Sequence, residues 1–182
     1  MIINKVTSTI ICLIYISVIT ATVITVDNRM PSIGDYTSIQ SAHDAASDTG
    51  ATLLVYPSKT SYSTLTVTKP LHIIGPGHRE VSGYSSSETA TIGTITFQEG
   101  SEGAVLEGFV SNDPVFIFAN DITIKNNYFH KNNRMLYIGT SGYLVENTII
   151  QGNKIIGSSY NYELVSIGTA VNAAFTNNII IR

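Results

Sequence analysis

An all-β solenoid preceded by one short helix is the fold class that this 182-residue sequence predicts. Three observations carry it. After Gly50 the chain holds only short β-type runs, with no helical stretch between them. Those runs recur in blocks whose internal offsets stay near constant while one connection per block changes length. Asparagine also returns at one position of successive blocks. Stacked strands must keep register and only outward loops can grow, which is how a solenoid behaves.

The composition suits one globular domain: 43% hydrophobic, 13% charged, 14 Gly, 5 Pro, 1 Cys and no Trp. That apolar content supplies a core, and the low charge argues against disorder. Ten Lys+Arg against thirteen Asp+Glu give a net charge of −3, which excludes a basic nucleic-acid binder.

Residues 1–21 read as a secretory signal peptide. Lys5 makes the start basic, residues 10–19 form an apolar core containing Cys12, and Ala21 is a small residue at the cleavage position. The core is shorter than the ~20 residues of a comfortable membrane span. An uncleaved anchor is the alternative, because Ile19 is a poor residue two places before Ala21. Cleavage leaves residues 22–182 as a secreted or cell-surface domain without cysteine and without membrane contact.

The helix is expected over residues 35–47, DYTSIQSAHDAAS. There Ile39, Ala42 and Ala46 give one narrow apolar face, and Thr37 with Gln40 has the spacing of a capping box. His43 lies beside that stripe and reads as a half-buried helix histidine. Strands are expected at 52–56, 65–68, 71–74, 91–97, 104–110, 115–118 and 122–124. They continue at 135–138, 144–145, 148–150, 154–156, 164–167 and 174–181. Each is apolar at alternate positions and bounded by Gly, Asn, Ser or Asp.

Three segments align without gaps: ITIKNNYF (122–129), YLVENTII (143–150) and AAFTNNII (173–180). The alignment puts Ile124, Val145 and Phe175 in one column and Asn126, Asn147 and Asn177 in another, with Gly108 upstream in the Asn column. The Asn spacings are then 18, 21 and 30 residues, counted from Gly108. Asn tolerates left-handed backbone at a tight bend, and its amide can bond to the same amide one rung away, ~4.8 Å distant. Asn126, Asn147 and Asn177 are therefore expected to form a structural ladder.

The segment from Tyr36 to Gly77, YTSIQSAHDAA…GATLLVYPS…LTVTKPLHIIGPG, resembles the start of right-handed parallel β-helix proteins of the pectin-lyase-like superfamily. The repeats after Ala104 resemble that superfamily's Asn-ladder rungs. The resemblance implies a right-handed parallel β-helix with an N-terminal capping α-helix (residues 37–47), a first strand ending at Pro57 and a rung over residues 67–75. At ~25 residues per turn the chain holds about six rungs. Enzymes of the superfamily are usually much longer. The sequence closes on an apolar strand, so Arg182 is expected to be a truncation point or to lie under another chain.

Lyases of that scaffold need a cation facing the uronate carboxylate, a base and a proton donor. The candidate catalytic residues are Lys131, Arg134 and His130, in the polar cluster 126–134. Tyr128, Tyr137, Tyr160 and Tyr162 flank the variable loops and are the candidate sugar-stacking rings. Glu107, Lys125 and Glu146 align as an acid–base–acid cross-strand ladder, contributing a few tenths of a kcal/mol per pair. The alternative is a Ca2+ site built from Glu107 and Glu146 with Asp113 or Asp121, with which Lys125 would compete. Thr64, Thr66, Thr68, Thr94 and Thr96 form Thr-x-Thr runs like those of ice-binding helices, but irregular turn lengths favour plain strand propensity.

The function expected from these residues is a secreted module that presents a face to extracellular polysaccharide or a cell-surface component, without catalysis. A polysaccharide lyase using Lys131 and Arg134 is the first alternative. A structural solenoid that self-associates end to end is the second.

Overall fold

The computed structural model describes residues 22–48, 50–77, 89–130, 134–140, 142–157 and 163–181. The expected signal segment, Lys131, Tyr160 and Tyr162 lie outside them. In chain order the elements are β1 (Val23–Val26), α1 (Ile39–Ala45), β2 (Thr52–Val55), β3 (Leu65–Val67) and β4 (His72–Ile74). Next come β5 (Thr91–Ile92), β6 (Ile95–Phe97), β7 (Val105–Glu107), β8 (Val110–Ser111), β9 (Val115–Ile117) and β10 (Thr123–Lys125). The later rungs hold β11 (Tyr128–His130), β12 (Leu136–Ile138), β13 (Leu144–Glu146), β14 (Ile149–Gln151) and β15 (Lys154–Ile156). Last are β16 (Val165–Ile167), β17 (Thr169–Val171), β18 (Ala174–Thr176) and β19 (Ile179–Ile181).

These strands stack into a parallel β-helix. One sheet has seven strands in the order β1-β2-β4-β7-β10-β14-β18. The second runs β5-β8-β11-β15-β19, the third β3-β6-β9-β12-β16, and β13 pairs with β17 on a short fourth face. Every strand pairing among the described residues is parallel, as a chain winding in one sense requires.

The core is a set of inward columns, one residue per rung. In the seven-stranded sheet one column is Ile24, Leu53, Ile73, Leu106, Ile124, Ile150 and Phe175. From Leu53 to Ile150 its members are fully buried, each contributing about 2 kcal/mol of transfer free energy. Expected long runs break in two at the corners. Residues 104–110 bend at Gly108 (φ 79) and residues 174–181 at Asn177 (φ 54). Left-handed backbone at each of these positions turns the chain from one face to the next.

The register corrects the aligned repeats. Ile124 stands beside Ile150, not Val145, so the rungs repeat after 26 and 25 residues (Ile124, Ile150, Phe175). Asn126 and Asn177 share a corner with Gly108 and Gly152, whereas Asn147 stands at another corner with Asp121 and Asn172. The misalignment has a local cause: β13 ends in left-handed Asn147 (φ 56) much as β10 ends in left-handed Asn126 (φ 55). Two corners of the same shape select the same short sequence.

The helix begins later than its capping signal. Ser38 is the N-cap and accepts from the Ser41 amide, in place of Thr37. Gln40 reaches across to β3 instead: its amide donates to the Thr66 carbonyl (3.2 Å) and accepts the Thr66 N–H (2.9 Å). His43 is buried, more deeply than expected, and its Nε2 accepts the Thr68 N–H at 3.0 Å. That bond leaves the ring proton on Nδ1, 2.8 Å from the Asp44 carboxylate. Lys69 Nζ donates to the Asp44 and Ala46 carbonyls at the helix end. These contacts fasten α1 to the β3 end of the third sheet.

Candidate functional site

The third sheet changes character along the stack. Its outward column reads Thr66, Thr96, Phe116, Tyr137 and Ser166 across successive strands. Phe116 and Tyr137 lie with ring centroids 4.6 Å apart at 23°, about one rung spacing. Phe118, two residues beyond Phe116, faces outward on the same side and lies 4.7 Å from the Tyr143 ring. Phe116 and Phe118 stack at 6.0 Å. Four half-exposed or exposed rings thus form one continuous run, and Tyr143 is 54% exposed.

Beside this run is a groove of about 490 Å3, within the ~300–1,000 Å3 typical of ligand sites. Three successive rungs build it where the third sheet turns toward the seven-stranded sheet. Gln98, Glu99 and Glu102 come from the first, Phe118, Ala119 and Asn120 from the second, Tyr143 and Leu144 from the third. The third rung steps outward because β13 is inserted there. Asn120 fixes that step, its Oδ1 accepting the Glu146 N–H at 2.8 Å. The exposed Tyr143 ring offers apolar surface of the kind that packs on sugars, and the carboxylates and amides on the walls match hydroxyls or amines.

The sequence-derived site residues fall on separate sheets. Tyr128 and His130 are on β11 in the second sheet, ring centroids 6.1 Å apart, with Lys154 over the Tyr128 ring at 5.7 Å. Arg134 lies just before β12, its Nη2 3.5 Å from the Glu163 carboxylate. Tyr137 alone joins the aromatic run. Phe116, Phe118, Tyr143, Glu99 and Glu102 were not singled out from sequence. Only Phe116 and Phe118 carried a local signal, the segment VFIF (115–118), apolar in both phases of the alternation, with Val115 and Ile117 inward and the two rings outward.

Glu107 and Glu146 do not share a column. Glu107 neighbours Lys125 (2.7 Å) and lies 3.2 Å from His72 Nε2, while the next residue along is Gln151. The Ca2+ alternative loses its pairing, since Glu146 stands on β13 at a different face. Among the described residues no three His, Cys, Asp or Glu side chains cluster, and no helix is long and apolar enough to cross a membrane.

The ladder that lines the interior belongs to the residue after each corner. Asn153 Oδ1 accepts the Asn127 backbone N–H (3.0 Å) and side-chain amide (3.1 Å). Asn178 Oδ1 does the same for Asn153 (2.9 and 3.1 Å), and Asn127 Oδ1 accepts the Phe109 N–H. At the other corner Asn147 donates to Asp121 (2.9 Å) and Asn172 donates to Asn147 (3.2 Å).

Near the first rung, the buried Asp27 carboxylate accepts from Arg29 Nε and Nη2 and from the Arg29 and Ile33 amides, at 2.8–3.1 Å. The Arg29 guanidinium and these amides hold its pKa well below the usual carboxylate range against the opposing effect of burial.

Fold and groove define a parallel β-helix with an aromatic corner site. Comparison with family models, curated proteins and solved structures yields no match for this chain.

Proposed function

We propose that this chain is an extracellular β-helix of the pectin-lyase-like kind that holds a polysaccharide in its corner groove without cleaving it. The observation that carries the reading is the run of Phe116, Tyr137, Phe118 and Tyr143 beside a groove spanning three rungs. The KPL-x-I-x-G rung and interior Asn ladder support the finer family, and the signal-like start of the sequence supports secretion. Glycoside hydrolysis needs two carboxyl groups flanking the scissile bond. Glu99 and Glu102 instead stand three residues apart on one turn, hence on one wall.

Affinity electrophoresis through gels containing soluble polysaccharides tests the proposal. Retardation by at least one glycan is expected, with Tyr143→Ala weakening it about tenfold, the equivalent of ~1.4 kcal/mol of lost stacking. Tyr143 is exposed, so the variant keeps its fold. Retention unchanged in Tyr143→Ala removes the groove from the account. Growth of ultraviolet absorbance from unsaturated uronates, abolished in Lys131→Ala or Arg134→Ala, replaces the proposal with a lyase.

Self-association is the second reading, supported by the apolar side chains of residues 164–181 in this chain. Phe175 and Ile180 occupy core columns yet are 37% and 53% exposed, and residues 164–181 carry no charged side chain. Light scattering is expected to show mass rising with concentration and Ile180→Lys to abolish the rise. A constant monomer mass for the unaltered chain rejects it.

A further inference from the structure

We infer that the occupant of the corner groove is a polysaccharide bearing protonated amines, of the glucosamine type, and this rests on the glycan-binding reading above. The argument starts from the turn between β6 and β7. Ser101 is fully buried there, and its hydroxyl and backbone N–H both donate to the Gln98 carbonyl, at 2.6 and 3.0 Å. The Ala104 N–H in turn donates to the Ser101 carbonyl at 2.9 Å. Gly100 lies at φ 92, and a Cβ on it would stand 2.6 Å from the Thr68 carbonyl oxygen, so the turn presses against the preceding rung. With Ser101 held inward, Glu99 and Glu102 on either side of it are set outward, and both line the groove.

Neither glutamate has a cationic partner among the described residues. The cations among the described residues are engaged elsewhere: Arg29 with Asp27, Lys69 at the end of α1, Lys125 with Glu107, Arg134 with Glu163, and Lys154 over Tyr128. Lys59 lines a different cavity, beside Arg29. Among the described residues the groove therefore carries two carboxylates on one wall and no Lys or Arg in its lining.

The three glycan classes separate on this geometry. A uronate polymer laid against Phe118 and Tyr143 would set its carboxylates near those of Glu99 and Glu102, and like charges would oppose it. A neutral chain gains ring stacking and hydroxyl contacts alone. A chain of protonated amino sugars gains both, its pyranose faces on the rings and its ammonium groups on the carboxylates. The groove crosses three rungs, each ~4.8 Å further along the axis, so an extended chain meets the two carboxylates on the first rung and the Phe118 and Tyr143 rings on the next two.

The test uses the chain from residue 22 onward with three probes: soluble deacetylated chitin, its N-acetylated oligomers and polygalacturonate, at mildly acidic pH. The deacetylated polymer is expected to bind at least tenfold more tightly than the acetylated one. Added salt and the double variant Glu99→Gln/Glu102→Gln should each close that gap, while Tyr143→Ala weakens both ligands alike. Equal affinity for the two forms, or tighter binding of polygalacturonate, overturns the inference and leaves glycan binding standing. Displacement by polylysine as effective as by the amino-sugar polymer also overturns it, because bulk charge then suffices. Failure of all three probes to bind folded protein overturns the glycan-binding reading as well.

Discussion

Asn153→Ala is expected to destabilise the protein by about 3–5 kcal/mol, read as a lowered midpoint in urea or thermal unfolding. Asn153 is 1% exposed and its side chain makes four hydrogen bonds. Its Oδ1 receives the Asn127 amide N–H, and its Nδ2 donates to the Ile124 carbonyl at 2.8 Å. Alanine strands both backbone groups in the interior at about 1–3 kcal/mol each and leaves a small void besides. Against a total stability of ~5–15 kcal/mol this is a large fraction. Asn126→Gly is the contrasting variant: Asn126 is exposed at φ 55, and glycine already fills that corner as Gly108 and Gly152. It should stay within about 0.5 kcal/mol of the parent. A cost below about 1 kcal/mol for Asn153→Ala would show that water replaces the ladder.

Acid unfolding is expected to depend on Asp27. Its folded-state pKa is depressed below the ordinary 3.8, by the Arg29 guanidinium above all. A depressed carboxylate contributes stability that is fully present above its unfolded pKa and lost as pH falls through the folded value. The contribution is therefore intact at neutral pH and drains away below about pH 4. Asp27→Asn should lower stability at pH 7 by about 2 kcal/mol, since Arg29 is partly exposed and water screens the pair. It should also flatten the stability–pH curve between about pH 4 and pH 2. Denaturant midpoints measured across that range check both effects. A variant that loses stability in parallel with the parent on acidification would place the acid-labile group elsewhere.

Architecture was legible in this sequence because a solenoid repeats its physics every turn. Short alternating runs such as LTV at β3 and VLE at β7 can bury one face only against a neighbouring rung, and no helix intervenes after α1 among the described residues. Register was less legible. The motif of an apolar residue, a polar residue and a left-handed Asn occurs at more than one corner, so ITIKN at β10 and YLVEN at β13 looked equivalent although they end different faces. The interior ladder hid for a related reason. In the pair Asn126–Asn127 the first residue makes the bend and the second turns inward, and only coordinates tell them apart.

The groove was illegible from any local window. Its residues are separated by up to 46 positions, from Gln98 to Leu144, and meet because three turns of chain end at one corner. Polar clusters such as 126–134 drew attention by composition, whereas Phe118 and Tyr143 are ordinary strand-flanking residues until stacking brings them together.

The short fourth face has a wider consequence. Because β13 is added at a corner, the cross-section enlarges partway along the stack while the buried columns from Leu106 to Ile150 continue uninterrupted. Under the proposed binding role, recognition and foldability would thereby be uncoupled. The ledge that makes the groove can be lengthened, shortened or recoloured with other side chains at little cost to the interior. A lineage carrying this scaffold could change what it grips one corner at a time, keeping the same spine throughout.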